Sequence, residues 1–454
     1  MCGHVMTTTR TTCLISPYLF LAALSIAYGY CVFQSGGIDI IDWNRCLVGL
    51  GLLVLSYFRF TNKSDLAPAP QWWFWWPPLL LLCFVGLQVM PLPMWFLRIV
   101  SPSRAALSQS LDPVLTGVTF ATISVFPAAT LSHLLRFAAY TVVFVLTREL
   151  AWRTLQNRWL MIIPIIGVAG VEAGLGVLQY SADVVPHGTY LNRNHFAGLL
   201  ELSLPFAVVY PIAILSRPQH QSLRQAVLVS LSLVLSALML LGIILSLSRT
   251  AFIASFSSLI LVGSLVGRSR GLRRCAVAAL VVSILIVASL YLAPDRLIGR
   301  FGEVSGATAG TMLDARRQVW KETLNLIADY PLVGCGLGAF EHAFSQYRTF
   351  LPQLAIDTVH NDYLQFLAEI GAIGFAIAAL GVTGVVLSCA FAIFRSADPA
   401  TRYVAIACLA SLIAILIHSV TDYNLYIPAN AMLVAWIAGL VATLNFGSSR
   451  FLIT

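Results

Sequence analysis

The chain has 454 residues, of which 59% are hydrophobic and only 10% charged, far more apolar surface than a soluble core of that size could hide. The net charge of +8 would suggest nucleic acid in a soluble protein, but here the basic residues fall mainly in short connectors between apolar runs, so no nucleic-acid partner is expected. The bilayer must be the solvent, and because the runs are continuously apolar rather than alternating, a transmembrane β-barrel is excluded.

In chain order the apolar runs predict an all-α polytopic membrane protein of about 12 spans: 13–33, 46–58, 72–90, 128–148, 159–180, 196–216, 226–247, 250–267, 276–293, 363–391, 403–421 and 425–445. The first run follows Arg10 but is long and lacks a small-x-small cleavage site, so it is read as a span rather than a signal peptide. With the N-terminus cytoplasmic, the inner connections collect Arg59 and Lys63, then Arg148, Arg153 and Arg158, then Arg217 and Arg224, then Arg268, Arg270, Arg273 and Arg274, then Arg395 and Arg402. Two hydrophilic stretches then face outward, 91–128 and the larger 294–362 between the ninth and tenth spans. Within the latter, Asp314–Asp329 has helical spacing with Val319, Trp320, Leu324 and Ile327 on one side, which predicts an amphipathic helix lying over the membrane. The nine cysteines form neither a disulfide framework nor a zinc spacing.

The informative polar residues are those placed on the outer side, against the charge bias. Asn192-Arg193-Asn194-His195 precedes the sixth span, Ser246-Leu247-Ser248-Arg249-Thr250 the eighth, and Asp357-Thr358-Val359-His360-Asn361-Asp362 the tenth; Arg316-Arg317 lies in the large loop. Those three spans all start at the outer face, with Asn194, Ser248 or Thr250, and Asn361 or Asp362 as expected caps. Helix N-termini attract anions, and guanidinium groups pair with phosphate oxygens in two-pronged fashion, so the set suits a diphosphate at the outer leaflet. The competing reading is that each arginine only anchors its helix at the interface.

His360, at the start of a membrane helix, is available as a general base near neutral pH. Asn361, Gln365 and Glu369 follow on one face, with Glu369 ~13 Å below His360 by helix rise. A carboxylate at that depth needs neutralising, and Arg136, also inside an apolar run, is the partner proposed for it. His418 and Asp422 share a helix face four residues apart, a spacing more often structural than catalytic. His187, His195 and His342 read as solvated residues, and Gly334-Cys335-Gly336-Leu337-Gly338 as a turn that re-enters the site.

Several segments resemble the O-antigen ligases and related Wzy-type polysaccharide polymerases: Gly188–Pro205 (GTYLNRNHFAGLLELSLP), Ser246–Ala251 (SLSRTA), Arg317–Gly338, and His360–Gly374 with His360, Asn361, Gly371 and Gly374 in the ligase spacing. His418–Pro428 is similar to the family's C-terminal signature, so the resemblance spans roughly Gly188–Pro428. It implies a fold similar to other membrane-embedded (type C) glycosyltransferases. The N-terminal helices would be 1–180, the ligase-like domain 181–445 and a cytoplasmic tail 446–454. It further implies glycan transfer from undecaprenyl diphosphate to an acceptor hydroxyl, of lipid A core or a growing polysaccharide, at the periplasmic face of a bacterial inner membrane, with no metal or other cofactor. The essential histidine maps onto His360, and the diphosphate-binding arginines onto Arg249 and Arg193, with Arg316 and Arg317 as further candidates; Asn194, Asn361, Glu369, His418 and Asp422 would support them. Two rivals remain open: a protein O-oligosaccharyltransferase with a similar domain, and a lipid-linked glycan flippase or transporter with no chemistry. Transporters place ionisable groups at mid-membrane on broken helices in repeated halves, whereas here the polar groups crowd one surface and no halves repeat.

Overall fold

The computed structural model describes residues 16–69, 71–110, 117–216, 222–267, 307–349 and 356–444. The expected ninth span (276–293) and the tail 446–454 lie outside the described residues, as do 294–306 and 350–355 of the large loop. The protein is an all-α polytopic membrane protein. Among the described residues nine helices are long and apolar enough to cross a bilayer, and Pro17–Phe33 and Pro428–Val441 are shorter apolar helices. These correspond one for one to the other expected spans.

The order begins α1 (Pro17–Phe33), α2 (Ile40–Phe60) and α3 (Trp72–Val89). The hydrophilic stretch 91–128 contains two short helices, α4 (Met94–Val100) and α5 (Pro102–Gln109), and a two-residue antiparallel pairing of Leu92–Pro93 with Phe120–Ala121. Then come α6 (Pro127–Arg153), α7 (Ile163–Ser181), α8 (Arg193–Leu215), α9 (Leu223–Leu245) and α10 (Arg249–Gly267). After the undescribed segment follow α11 (Ala307–Asp329), α12 (Phe340–Phe344), α13 (Asp362–Arg395), α14 (Pro399–His418) and α15 (Pro428–Val441).

Local sequence sets most boundaries. Proline opens α1, α5, α6, α14 and α15, where a missing N–H costs nothing. Asp39, Asn192, Asn361 and Asp398 cap α2, α8, α13 and α14, and Ser222 forms a capping box with Gln225 at α9. Asn194 is therefore not the cap of α8, as the sequence suggested. Asn192 accepts from the Asn194 N–H at 2.9 Å and frees the Asn194 side chain for another role. The α8 span is 78% buried against 17% for α3, which makes α8 the axial helix, packed by α7, α9, α10 and α14, and leaves α3 at the rim.

The longest helix, α13, is broken. Gly371 has φ 61°, ψ −174°, and a Cβ there would lie 2.4 Å from the Leu332 carbonyl group, so only glycine fits. The Pro331–Gly338 turn plugs the break. Carbonyls of Ala368 and Glu369 accept from the Cys335 and Gly336 N–H groups, both at 2.9 Å, while Ala372 and Ile373 donate to Pro331 and Leu332. Gln88 of α3 locks the joint, donating to the Val333 and Glu369 carbonyls and accepting from the Leu337 N–H at 3.1 Å. The Ala368 and Glu369 carbonyls and the Ala372 and Ile373 N–H groups at the break thus find partners inside the protein, as a membrane interior demands. Cα crowding at Gly334, whose Cβ would meet the Glu369 carbonyl at 2.2 Å, fixes the turn against the helix.

The helix over this end, α11, buries Val319, Glu322, Thr323, Leu326 and, one turn on, Tyr330, a stripe at helical spacing. Leu324, expected on the buried side, is 53% exposed. Val319, Trp320 and Ile327 pack into the same core as expected, and Leu324 turns away because the polar Glu322 and Thr323 take the buried positions. Glu322 is buried to accept from the N–H and the hydroxyl of Thr349.

Candidate active site

The end of the bundle where α3, α7, α9 and α14 finish and α6, α8, α10, α13 and α15 begin gathers most of the polar residues singled out above. Its node is Thr421–Asp422, in the short connection between α14 and α15. The second residue of α8, Asn194, donates to Asp422 Oδ2 at 2.6 Å. The second residue of α10, Thr250, shares a 2.5 Å hydroxyl contact with Thr421. The first residue of α13, Asp362, donates its N–H to the Asp422 carbonyl at 3.1 Å. From α11, Arg316 donates to the Thr421 carbonyl at 3.3 Å. Three helix N-termini and one arginine therefore meet at two residues, an arrangement that favours negative charge nearby.

Asp422 also faces three imidazoles. His195 Nε2 lies 3.5 Å and His360 Nδ1 3.7 Å from Oδ1, and His418 Nε2 lies 4.0 Å from Oδ2. Burial would raise its carboxyl, but the approach of His195 and His360 and the charge of His418 hold it well below the usual carboxylate range. Tyr423 stands edge-on to both His195 (4.6 Å) and His360 (5.1 Å), and burial together with the Asp422 charge pushes its phenol up to about 12.

Of the three imidazoles only that of His360 reaches solvent, with 33% of its side chain exposed against 1% for each of the others. The backbone holds it there. His360 sits at φ 53°, a left-handed conformation that costs a histidine ~1–2 kcal/mol. Val359 before it is pinned at both polar groups, by the Gln365 Oε1 and by the Trp320 indole N–H. Asn361 after it caps α13 through the Leu364 N–H at 3.0 Å. A second left-handed residue, Leu247 (φ 57°), turns the chain from α9 into the Ser248-Arg249 start of α10.

Arg193 and Arg249 are the first residues of α8 and α10, each beside a residue that touches the node, and Arg317 is exposed next to Arg316 on α11. Glu369 is not part of the His360 cluster and is not paired with Arg136. Its carboxylate accepts from the Tyr426 hydroxyl at 2.6 Å, the Gly338 N–H at 2.7 Å and Gln365 at 3.4 Å, so it staples the turn into the break of α13. The glycine-rich turn accordingly enters that break and not the space beside His360. His342 stacks on Phe126, and the His187 backbone N–H donates to Gln179 Oε1 at 2.9 Å, both apart from the node.

Sequence reasoning missed three residues. His195, read as solvated, is buried beside Asp422. Glu201, fully buried in α8, accepts from His418 Nδ1 at 2.9 Å and extends the network inward. A carboxylate two turns inside an apolar helix was the available signal. Thr421, which joins α10 and α11 to the node, carried none.

A part-exposed histidine held against a buried carboxylate, at a point where helix N-termini converge, is an arrangement for proton abstraction beside an anion. Residues 234–379 match the O-antigen ligase family. This is the family the sequence resembles, and the matched segment holds Arg249, Arg316, Arg317, His360 and Glu369. The O-antigen ligase match supports a glycosyl-transferring role in polysaccharide biosynthesis for this multi-pass membrane protein. No curated protein matches the chain.

Proposed function

We infer that the chain transfers a glycan from undecaprenyl diphosphate to an acceptor hydroxyl, on lipid A core or a growing polysaccharide, at the periplasmic face of a bacterial inner membrane. The observation that carries this reading is the Thr421–Asp422 node, which ties an accessible histidine to the N-termini of α8, α10 and α13. His360 turns Nδ1 toward Asp422, leaving Nε2 to accept the proton of the acceptor hydroxyl as it attacks the anomeric carbon. Asp422, an anion held in place by Asn194 and by its own chain at Tyr423, orients the ring and stabilises the imidazolium. The bond from the anomeric carbon to the diphosphate oxygen breaks as the new glycosidic bond forms. Arg249, Arg193 and Arg316, with Arg317 at the rim and the helix ends, stabilise the departing diphosphate without a general acid. A single displacement inverts the anomeric centre.

The broken helix α13 is a feature that transporters also use. Here the break is filled by the Pro331–Gly338 turn and by Glu369, so it presents no ion or substrate site, which favours the enzyme over a flippase. The test compares membranes holding wild type or His360→Ala at equal abundance, following undecaprenyl-linked glycan and transferred product by gel and mass spectrometry. Donor that accumulates while transfer stops supports the reading. Normal transfer, or a product of retained configuration, overturns it.

A further inference from the structure

Where α1 ends and α2 begins, two thiols meet. Cys31 stands two residues before the end of α1 and is 1% exposed; Cys46 lies in the second turn of α2 and is 4% exposed. Both are free thiols. The Cys46 Sγ donates to the Ala27 carbonyl of α1 at 3.7 Å, and Ala27 is one helical turn below Cys31 on the same face. The Cys31 Sγ turns its proton to the Gly36 carbonyl at 3.9 Å, and the two sulfurs lie within hydrogen-bond reach of each other.

Their level in the membrane sets the chemistry open to them. The start of α2 carries Asp39 as its cap, then Asp42 and Arg45, with the Arg45 side chain 66% exposed and paired to Asp42 at 3.0 Å, while Tyr30 of α1 donates to Asp42 at 2.8 Å. Charged groups spaced this closely belong to the headgroup zone and not to the hydrocarbon, so Cys31 and Cys46 stand at its boundary. The turn between the helices, Ser35–Gly37, packs on Tyr190 and on Ile427 and Pro428 at the head of α15, which puts the pair at the same end of the bundle as the Thr421–Asp422 node. In a periplasm, disulfides form and persist. Cys389 of α13 and Cys408 of α14 are also electrostatic neighbours, but Cys389 is six residues from the opposite end of α13, on the side where thiols stay reduced.

We propose that Cys31 and Cys46 form a disulfide that clamps α1 to α2 and closes the segment between them; this rests on the periplasmic placement of the node inferred above. Each thiol loses its proton, and the pair gives two electrons to the disulfide of a periplasmic thiol oxidoreductase, which leaves as a dithiol. Exchange takes place as α1 and α2 pair, before Tyr190 and α15 cover the turn. The clamp supports the node from behind. Gly36 and Gly37, at φ 75° and 74°, leave no room for a Cβ, which would lie 2.7 Å from the Tyr190 ring and 2.6 Å from the Cys31 Sγ respectively. Tyr190 donates to Asn430 Oδ1 at 3.0 Å, Asn430 donates to the His195 carbonyl at 3.0 Å, and the His195 ring faces Asp422.

The experiment counts thiols in the full-length protein, taken from acid-quenched cells, denatured in SDS and labelled with maleimide-polyethylene glycol with and without prior reduction. Of the nine cysteines, seven should react in unreduced wild type, nine less the bonded two, and all nine after reduction. Cys31→Ala should show the same count either way, and so should the double variant Cys31→Ala/Cys46→Ala. Nine adducts in unreduced wild type overturn the proposal, as does a double variant that still gains two adducts on reduction, which would place the bond in another pair. Thermal stability gives a second arm. Cys31→Ala, Cys46→Ala and the double should each lose about 5 °C of Tm, because each removes the same bond. A loss in the double equal to the sum of the singles would show two separate packing contacts and no bond. Counting thiols needs no turnover, so the two readings fail separately. Seven adducts without any transferred product sink the transferase alone, and His360-dependent transfer with nine adducts sinks the disulfide alone.

Discussion

Asp422 and Glu369 are both buried carboxylates near the same end of the bundle, and their surroundings give them different work. Glu369 is met by fixed donors, a backbone N–H, a phenol and an amide, all belonging to the turn and helix it joins. Asp422 is met by three imidazoles, one of them open to solvent, as well as by Asn194. Fixed donors make a staple, because nothing in the set can gain or lose a proton cheaply. Imidazole partners make a relay point, because a proton arriving at His360 is stabilised by a carboxylate already held in its charged form.

The sharpest way to break that contrast is kinetic. Removing His360 as His360→Ala should lower glycan transfer by ~10²–10⁴-fold with little loss of folded protein, the usual worth of a general base. Asp422→Asn keeps the shape and removes the charge, and should cost about 10²-fold in turnover with the donor still bound; an unchanged rate would reduce Asp422 to scaffolding. Glu369→Ala should act the other way. It strands three donors and should lower stability by about 3 kcal/mol, seen as a fall in Tm, while turnover per folded molecule at low temperature stays near wild type. A folded Glu369→Ala protein that cannot transfer would erase the distinction.

A smaller effect concerns acid. The folded Asp422 carboxyl is held below its unfolded value, so its contribution to stability is fully present above the ordinary carboxylate range near pH 4 and is lost as pH falls through the lower folded value. Thermal stability should therefore drop less steeply below about pH 4 in Asp422→Asn than in wild type. Identical acid limbs would contradict the depressed carboxyl. Asn361→Ala, the loss of one helix cap, should cost only ~1 kcal/mol, with its effect on rate confined to the positioning of His360.

Much of the architecture was legible along the chain, since spans of ~20 apolar residues have few alternatives in a bilayer and prolines, asparagines and aspartates mark their starts. His360, Asn361 and the outward arginines were legible for a related reason: polar groups beside apolar runs are conspicuous. The partners were less so. Arg136 and Glu369 looked matched because each seemed to lack a counter-charge, yet Glu369 is satisfied by Gly338, Gln365 and Tyr426, two of them far along the chain. His195 looked solvated because its neighbours are polar, and Leu324 looked buried because the stripe of α11 includes the polar Glu322 and Thr323.

By itself the sequence determined the solvent, the helix class, most span boundaries and the residue that stands at the head of α13, because hydrophobicity, capping and the restricted conformations of proline and glycine act within a few residues. Only the tertiary structure decided that Thr421–Asp422 joins α8, α10, α11 and α13, that Gly371 opens a break for Pro331–Gly338 to fill, and that Arg136 faces an apolar cleft. Those contacts bridge segments tens to hundreds of residues apart, and a hydrogen bond or an unpaired charge is defined by what the folded chain brings within about 3 Å, which no local pattern encodes.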